Sequence, residues 1–246
     1  MKKMVLVFIT MASATFAMAQ QTTKKDFSKI DFNRPGDHIM LTFTGDQWSG
    51  MPDSIRNNRK GGFSRGVNIA VMFEKRFKAN PMWSAAFGLG ISNSNIFFKN
   101  MGPNPEGVGV ATEGASTVTF AGTTGEHFKK YKLATTYLEI PLEMRYTFDP
   151  AHEDKSWKIA FGVKLGVLVD AHTKGKTLLN TIGGVENNYI EKTSSTRLFN
   201  TGRVAGTLRV GWGHFSVFGS YSITQLLKYG NAQLRPFQIG VTISGL

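Results

Sequence analysis

Two-periodic segments that end in aromatic residues recur along this chain, and the gaps between them alternate between short and long. Between Ile39 and Ile243 about eight such segments follow one another. The tight gaps are Lys78-Ala79-Asn80, the stretch from Asp149 to Lys155, and Gly213. The roomy gaps run from Trp48 to Gly62, from Asn100 to Lys130 and from Lys174 to Ser195, with a smaller one from Lys228 to Gln233. A meander threaded through a membrane has a reason to alternate its loops. Transmembrane β-barrels carry short turns on the periplasmic side and long loops on the outer side. The pattern therefore predicts an all-β fold: a transmembrane antiparallel up-and-down β-barrel of about 8 strands.

Within each segment every second residue is apolar. Trp83, Ala85, Phe87, Leu89 and Ile91 alternate with small or polar residues, and Leu138, Ile140, Leu142, Met144, Tyr146 and Phe148 alternate with Tyr137, Glu139, Pro141, Glu143 and Arg145. From Trp157 to Val169 the odd positions are again apolar, which sets Lys158, Lys164 and Asp170 on the other face. A soluble β-sandwich also alternates. The aromatics separate the two: Phe77, Trp83, Tyr146, Phe148, Trp157, Trp212 and Phe215 all lie within a few residues of the short gaps. Amphipathic rings favour the membrane–water interface, so these residues are expected to form one interfacial belt. An even strand count then puts both chain ends on that side. Pro141 removes a ladder hydrogen bond in mid-strand, and a local bulge is expected there.

The N-terminus reads as a secretory signal peptide over residues 1–19. Met1-Lys2-Lys3 is a positive n-region, Met4 to Phe16 an apolar h-region, and Ala17-Met18-Ala19 an A-x-A site before Gln20. The alternative, an N-terminal anchor, needs about 20 apolar residues and has fewer. Residues 20–37 are polar and read as a periplasmic lead-in, leaving 38–246 as an outer-membrane β-barrel in a Gram-negative cell envelope. The chain has no Cys, so neither a lipoprotein anchor nor disulfides are available to it. Loss of residues 1–19 takes Lys2 and Lys3 with it and lowers the net charge from +12 to +10.

The stretch Tyr137-Leu138-Glu139-Ile140-Pro141-Leu142-Glu143-Met144-Arg145-Tyr146 resembles the Y-L-E-I-P-L-x-x-[KR]-Y signature of PorT-like outer-membrane β-barrel proteins. The run from Trp83 to Ile91 is similar to the glycine-rich strand that this family carries upstream. The resemblance spans residues 37 to 246, and it implies a fold and an outer-membrane location rather than a role in secretion. The chain ends in Gly245-Leu246, where many substrates of the barrel assembly machinery end in an aromatic residue.

About eight strands leave a lumen just wide enough for side chains to fill. The inward set comprises Glu74, Arg76, Glu139, Glu143, Arg145, Lys158, Lys164, Asp170, Arg203 and Arg209. Buried charges persist when paired and hydrogen-bonded, so a structural ion-pair network is expected, with Lys158 and Lys164 within reach of Glu139 and Glu143. Bases outnumber acids in this set, and the competing reading is a small anion-preferring channel.

Catalytic signals are weak. Asp170 and His172 could orient an acid–base pair, which leaves a membrane-embedded hydrolase or acyltransferase as a third reading, but no nucleophile is placed beside them. His127 lies beside Glu126 in a long loop, His38, His152 and His214 lie at turns or strand starts, and no two histidines show metal-ligand spacing. Gly88-x-Gly90 has no following helix and is not a nucleotide cradle. No catalytic residue, cofactor or metal is therefore expected, and the chain reads as non-enzymatic. Basic residues gather near the long gaps as Arg56, Arg59, Lys60, Arg65, Lys129, Lys130, Lys132, Lys174, Lys176 and Lys228. They either solubilise loops or pair with lipopolysaccharide phosphates. The expected partners are outer-membrane lipid and lipopolysaccharide, the barrel assembly machinery and other envelope proteins; nucleic acid is not expected.

Overall fold

The computed structural model describes residues 39–60, 64–101, 123–228 and 233–245. The expected signal peptide, the lead-in and most of the Asn100–Lys130 gap lie outside them. The strands are β1 (Ile39–Ser49), β2 (Arg65–Phe77), β3 (Asn80–Phe98), β4 (His127–Thr147), β5 (Trp157–Leu179), β6 (Val185–Ser194), β7 (Gly202–Trp212), β8 (Phe215–Ser222) and β9 (Arg235–Ser244). One short helix, α1 (Asp53–Asn58), follows β1, and a single 3-10 turn, Glu153–Lys155, lies between β4 and β5.

All pairings are antiparallel, and eight strands close into a ring in the order β1-β2-β3-β4-β5-β7-β8-β9, with β9 returning to β1 over Met40↔Ser244 to Ser49↔Arg235. The ninth strand, β6, does not widen the ring. It pairs with the far half of β5, from His172↔Ser194 to Leu179↔Val185, just beyond the stretch of β5 that pairs with β7. The expected loop from Lys174 to Ser195 is therefore mostly a hairpin, closed by a turn in which Asn180 and Gly184 share a 2.9 Å backbone hydrogen bond and Gly183 takes a φ of +84°. It lacks an apolar stripe because strands that project past the membrane have water outside, and that made it look like a loop.

Polarity is inverted relative to a soluble fold. Glu139, Glu143, Arg145, Arg203 and Arg209 each expose 6 % or less of their surface, whereas Phe87, Leu89 and Ile91 each expose more than half. A sandwich would bury the apolar set. Only a solvent of lipid makes this arrangement stable, since closed barrels satisfy every backbone group between strands. Along β3 the outward apolar run from Trp83 to Ile91 ends at Asn93, a span of about 25 Å at ~3.3 Å per residue and ~40° tilt.

One local expectation changes. Pro141 makes no bulge. Pairing between β3 and β4 runs from Phe87↔Leu142 to Gly90↔Glu139 in constant register, with no pair at Gly88 and Leu89 between them, while Pro141↔Lys164 stays in register with β5. A missing N–H interrupts a ladder without inserting a residue. The bulge lies farther along, where Thr136 pairs with Asp170 and Tyr137 with Leu168, so that Val169 has no partner.

Candidate functional site

Strand parity places the charged side chains, because residues two apart on one strand share a face. Near the end of the barrel that carries the short turns, Glu74 and Arg76 of β2, Glu143 and Arg145 of β4, Lys158 of β5 and Arg209 of β7 meet in one chain of ion pairs. Arg145 bridges Glu74 at 2.5 Å and Glu143 at 2.9 Å, and Arg209 Nη2 donates to the same Glu143 oxygen at 2.9 Å. Arg76 contacts Glu74 at 3.9 Å and Glu153 at 2.5 Å, and Lys158 approaches Glu153 at 3.7 Å. Nearer the middle, Glu139 of β4 receives Arg203 Nη1 and Lys164 Nζ, each at 3.3 Å. Arg203 also lies 5.2 Å from the Tyr137 ring centre and Lys164 4.8 Å from that of Phe218.

Every basic side chain of this lumen set has a carboxylate oxygen within 4 Å. Among these side chains lies a small cavity of about 20 Å³ lined by Glu74, Arg145, Glu153, Lys158 and Arg209 among others, room for about one water. Glycines make the crowding feasible. Gly166 pairs with Glu139, and a Cβ there would stand 3.2 Å from Glu139 Cγ and 3.6 Å from Arg203 Cβ.

Two placements differ from those read in the sequence, and one member of the network was not read there at all. Asp170 does not join the network. The unpaired Val169 shifts the face of β5, so that Val169 is 62 % exposed and Asp170 also lies on the outer wall, its carboxylate bonded to His172 Nδ1 at 2.6 Å and accepting from Ser194 Oγ at 2.9 Å. Lys158 does not serve Glu143, because Glu143 pairs with Gly162 and Lys158 falls opposite Thr147, near Glu153. Glu153 itself was not anticipated, since it belongs to a turn. Above Glu139 the filling continues as a polar layer around one more carboxylate: Thr44 and Gln238 donate to Asp46 at 2.7 and 3.0 Å, and Ser92 donates to Asn68 at 2.7 Å.

The other half of the lumen is apolar. Trp48, Phe98, Phe128, Leu133 and Leu168 from the strands pack with Ile55 of α1, Phe199, Leu226, Leu227 and Leu234 from the connecting segments. These segments are laced together over the opening. Lys60 N bonds Phe97 O and Lys228 N bonds Leu198 O, both at 2.8 Å; Leu226 N bonds Leu234 O at 2.7 Å; and Asn200 Nδ2 donates to Gln225 O at 2.8 Å. Periodicity could not reveal this cap. The only sequence signal was the presence of isolated large apolar residues inside otherwise polar gaps.

On the outer surface at the turn end, the aromatics meet in pairs. Trp83 lies 5.1 Å from Tyr146, Tyr146 5.0 Å from Phe148, and Trp157 5.6 Å from Trp212, all edge-on. Phe77, Trp157, Trp212 and Phe215 are also exposed there. Asp170 and His172 form a pair, but the Ser194 hydroxyl donates to the carboxylate and not to the imidazole. The arrangement orients His172 and activates no nucleophile. Among the described residues, no group of three His, Asp or Glu side chains could hold a metal ion.

A ring of eight antiparallel strands, apolar outside, charged within and banded by aromatics at one end, defines a transmembrane β-barrel. The chain belongs to the outer membrane protein beta-barrel domain family, whose model matches residues 18–245. It is a protein of the outer membrane. Two crystal structures of Ail, the attachment invasion locus protein of Yersinia pestis, are similar over 86 % of this chain and 99 % of theirs. The complex with the heparin analogue sucrose octasulfate has 11 % identity and a TM-score of 0.35, and the structure described without it 12 % and 0.33. No curated protein matches the chain.

Proposed function

We propose that this is a non-enzymatic outer-membrane barrel with a structural or interaction role, its lumen plugged rather than conducting and its loop end facing outward. The observation that carries this reading is the pairing of every basic lumen side chain with a carboxylate. An anion path needs cations free to exchange partners with the passing ion, whereas these are spent on one another, and an apolar cap lies in series with them. The Tyr137–Tyr146 motif supports a place among PorT-like proteins. The leader at Met1–Ala19 supports export by a cleaved signal peptide in a Gram-negative envelope, followed by insertion by the barrel assembly machinery. Other envelope proteins are the expected partners of the loop end.

Reconstituted in planar bilayers, the protein is expected to give a flat current trace. Repeated anion-preferring steps would replace the plug with the small channel. Orientation has its own test: a tag at Gly183 should be labelled on intact cells and one at His152 should not, and reversed labelling would invert the topology. The Asp170–His172 pair gives the hydrolase or acyltransferase reading its one foothold. It would gain support only from lipid turnover that His172→Ala abolishes.

A further inference from the structure

Strands β3, β4 and β5 are 19, 21 and 23 residues long, about twice the 9–11 that a membrane crossing needs. Together with β6 they raise a wall beyond the apolar band, and the face of that wall turned away from the lumen carries an unusual array. Register sets Phe97 opposite Lys132, Lys132 opposite Lys174, and Lys174 opposite Lys192. The next row sets Lys130 opposite Lys176. Arg65 of β2 adds its guanidinium 6.0 Å from the Phe97 ring centre.

Like charges directly opposite across strands are destabilising, and here they recur across three strands in succession. Among the described residues none of these five lysines makes an ion pair; Lys132 Nζ is held at 2.5 Å by the neutral Asn95 Oδ1. The nearest carboxylate row holds Asp170, bonded by His172 and Ser194 and felt electrostatically by Lys192 at the edge of the array. Between the side chains lies a recess of about 150 Å³ lined by Phe97, Lys130, Tyr131, Lys132, Lys174 and Lys176. An array that repels itself and surrounds a recess is suited to a polyanion.

Height selects which polyanion. The apolar surface ends at the Asn93–Thr136–Asp170 row, and Lys132 is four residues farther along β4, about 10 Å higher at ~3.3 Å per residue and ~40° tilt. The headgroup layer of a bilayer occupies about the first 5–8 Å beyond the hydrocarbon, so the lysines stand at and just above it. We propose that this wall is a docking site for the phosphorylated headgroup of an outer-leaflet glycolipid, lipopolysaccharide, whose phosphates enter the lysine array while its acyl chains lie along the apolar band below. Of the basic residues expected to ring the loop end, the structure selects only part: the Arg56 side chain turns to Asp53 at 3.2 Å and the Arg59 guanidinium to Gln47 of β1 at 3.1 Å. The proposal rests on an outward loop end, and its test in detergent does not depend on orientation.

The test compares the full-length protein with the triple variant Lys132→Gln, Lys174→Gln, Lys192→Gln. Both are titrated in detergent micelles with fluorescent lipid A carrying two phosphates, read by anisotropy. The variant is expected to bind at least 10-fold more weakly, and the wild type to bind dephosphorylated lipid A as weakly as the variant binds the phosphorylated form. Lys78→Gln with Lys155→Gln, at the turn end, should leave affinity unchanged. Heat-modifiability on gels verifies that each variant is a folded barrel; removal of self-repelling charges should not lower its transition, and if the triple variant fails to fold, Lys174→Gln alone takes its place with a smaller expected loss. Equal affinity of wild type and variant overturns the proposal. So does competition by a water-soluble phosphorylated saccharide as effective as competition by the lipid, which would make the wall a saccharide site instead.

Discussion

The two halves of the lumen are filled by opposite chemistry. Toward the turn end, strand residues supply carboxylates and guanidinium groups in a shared network; toward the loop end, the connecting segments supply Phe199, Leu226, Leu227 and, from α1, Ile55 to an apolar cluster. Both exclude water, for different reasons. Burial of each large apolar side chain contributes about 1.5–3 kcal/mol wherever it packs, so the cap tolerates imprecise placement. A buried ion pair contributes little net stability, yet it is costly to break on one side only. The ionic half therefore depends on register and the apolar half on bulk, and the barrel uses each where the chain can supply it.

The largest expected effect comes from breaking the ionic half on one side. Glu143→Leu leaves Arg209 without a carboxylate within 4 Å while Arg145 keeps Glu74, a loss of about 3–5 kcal/mol. The temperature at which the barrel loses its compact gel mobility should fall clearly, and addition of Arg209→Leu should restore part of it. Unchanged stability accompanied by new ion conductance would mean that the network is a pathway. Glu186→Leu, exposed beyond the membrane on β6, should change nothing.

A somewhat smaller effect is expected from the apolar half. Phe199→Ala should cost about 3 kcal/mol, expressed first as protease cleavage near residues 195–201 while the gel shift persists, because the cap is built from loops and the ring from strands. If ring and cap instead melted together, the two halves would be one cooperative unit. The smallest effect belongs to Asp170→Asn. A partly exposed pair on the outer wall contributes under about 1 kcal/mol, so a loss as large as that of Glu143→Leu would return Asp170 to the lumen and contradict its position beyond the bulge.

Alternation was legible wherever lipid lay outside and side chains inside, since lipid demands an apolar residue at every second position. That is why parity alone places Glu139, Glu143, Arg145, Arg203 and Arg209 on the inner face and Trp83, Tyr146, Trp157 and Trp212 on the outer one. Legibility failed at three kinds of place. Parity carries along a strand only until a residue goes unpaired, and Val169 reversed the face of Asp170. Turn residues have no period, so Glu153 gave no hint that it would complete the pairing of Arg76 and Lys158. Strands above the membrane lose their apolar stripe, so the β5–β6 hairpin resembled a loop.

By itself the sequence determined the class of fold, the band that meets lipid and the end that bears the aromatic belt, because these follow from a two-residue period and from the solvent on either side of it. Only the tertiary structure decided which carboxylate meets which base, that loop residues close one end with an apolar cap, and that lysines from separate strands converge on one wall. Those facts depend on register and loop folding, which bring together residues far apart in the chain and leave no local pattern for a sequence to display.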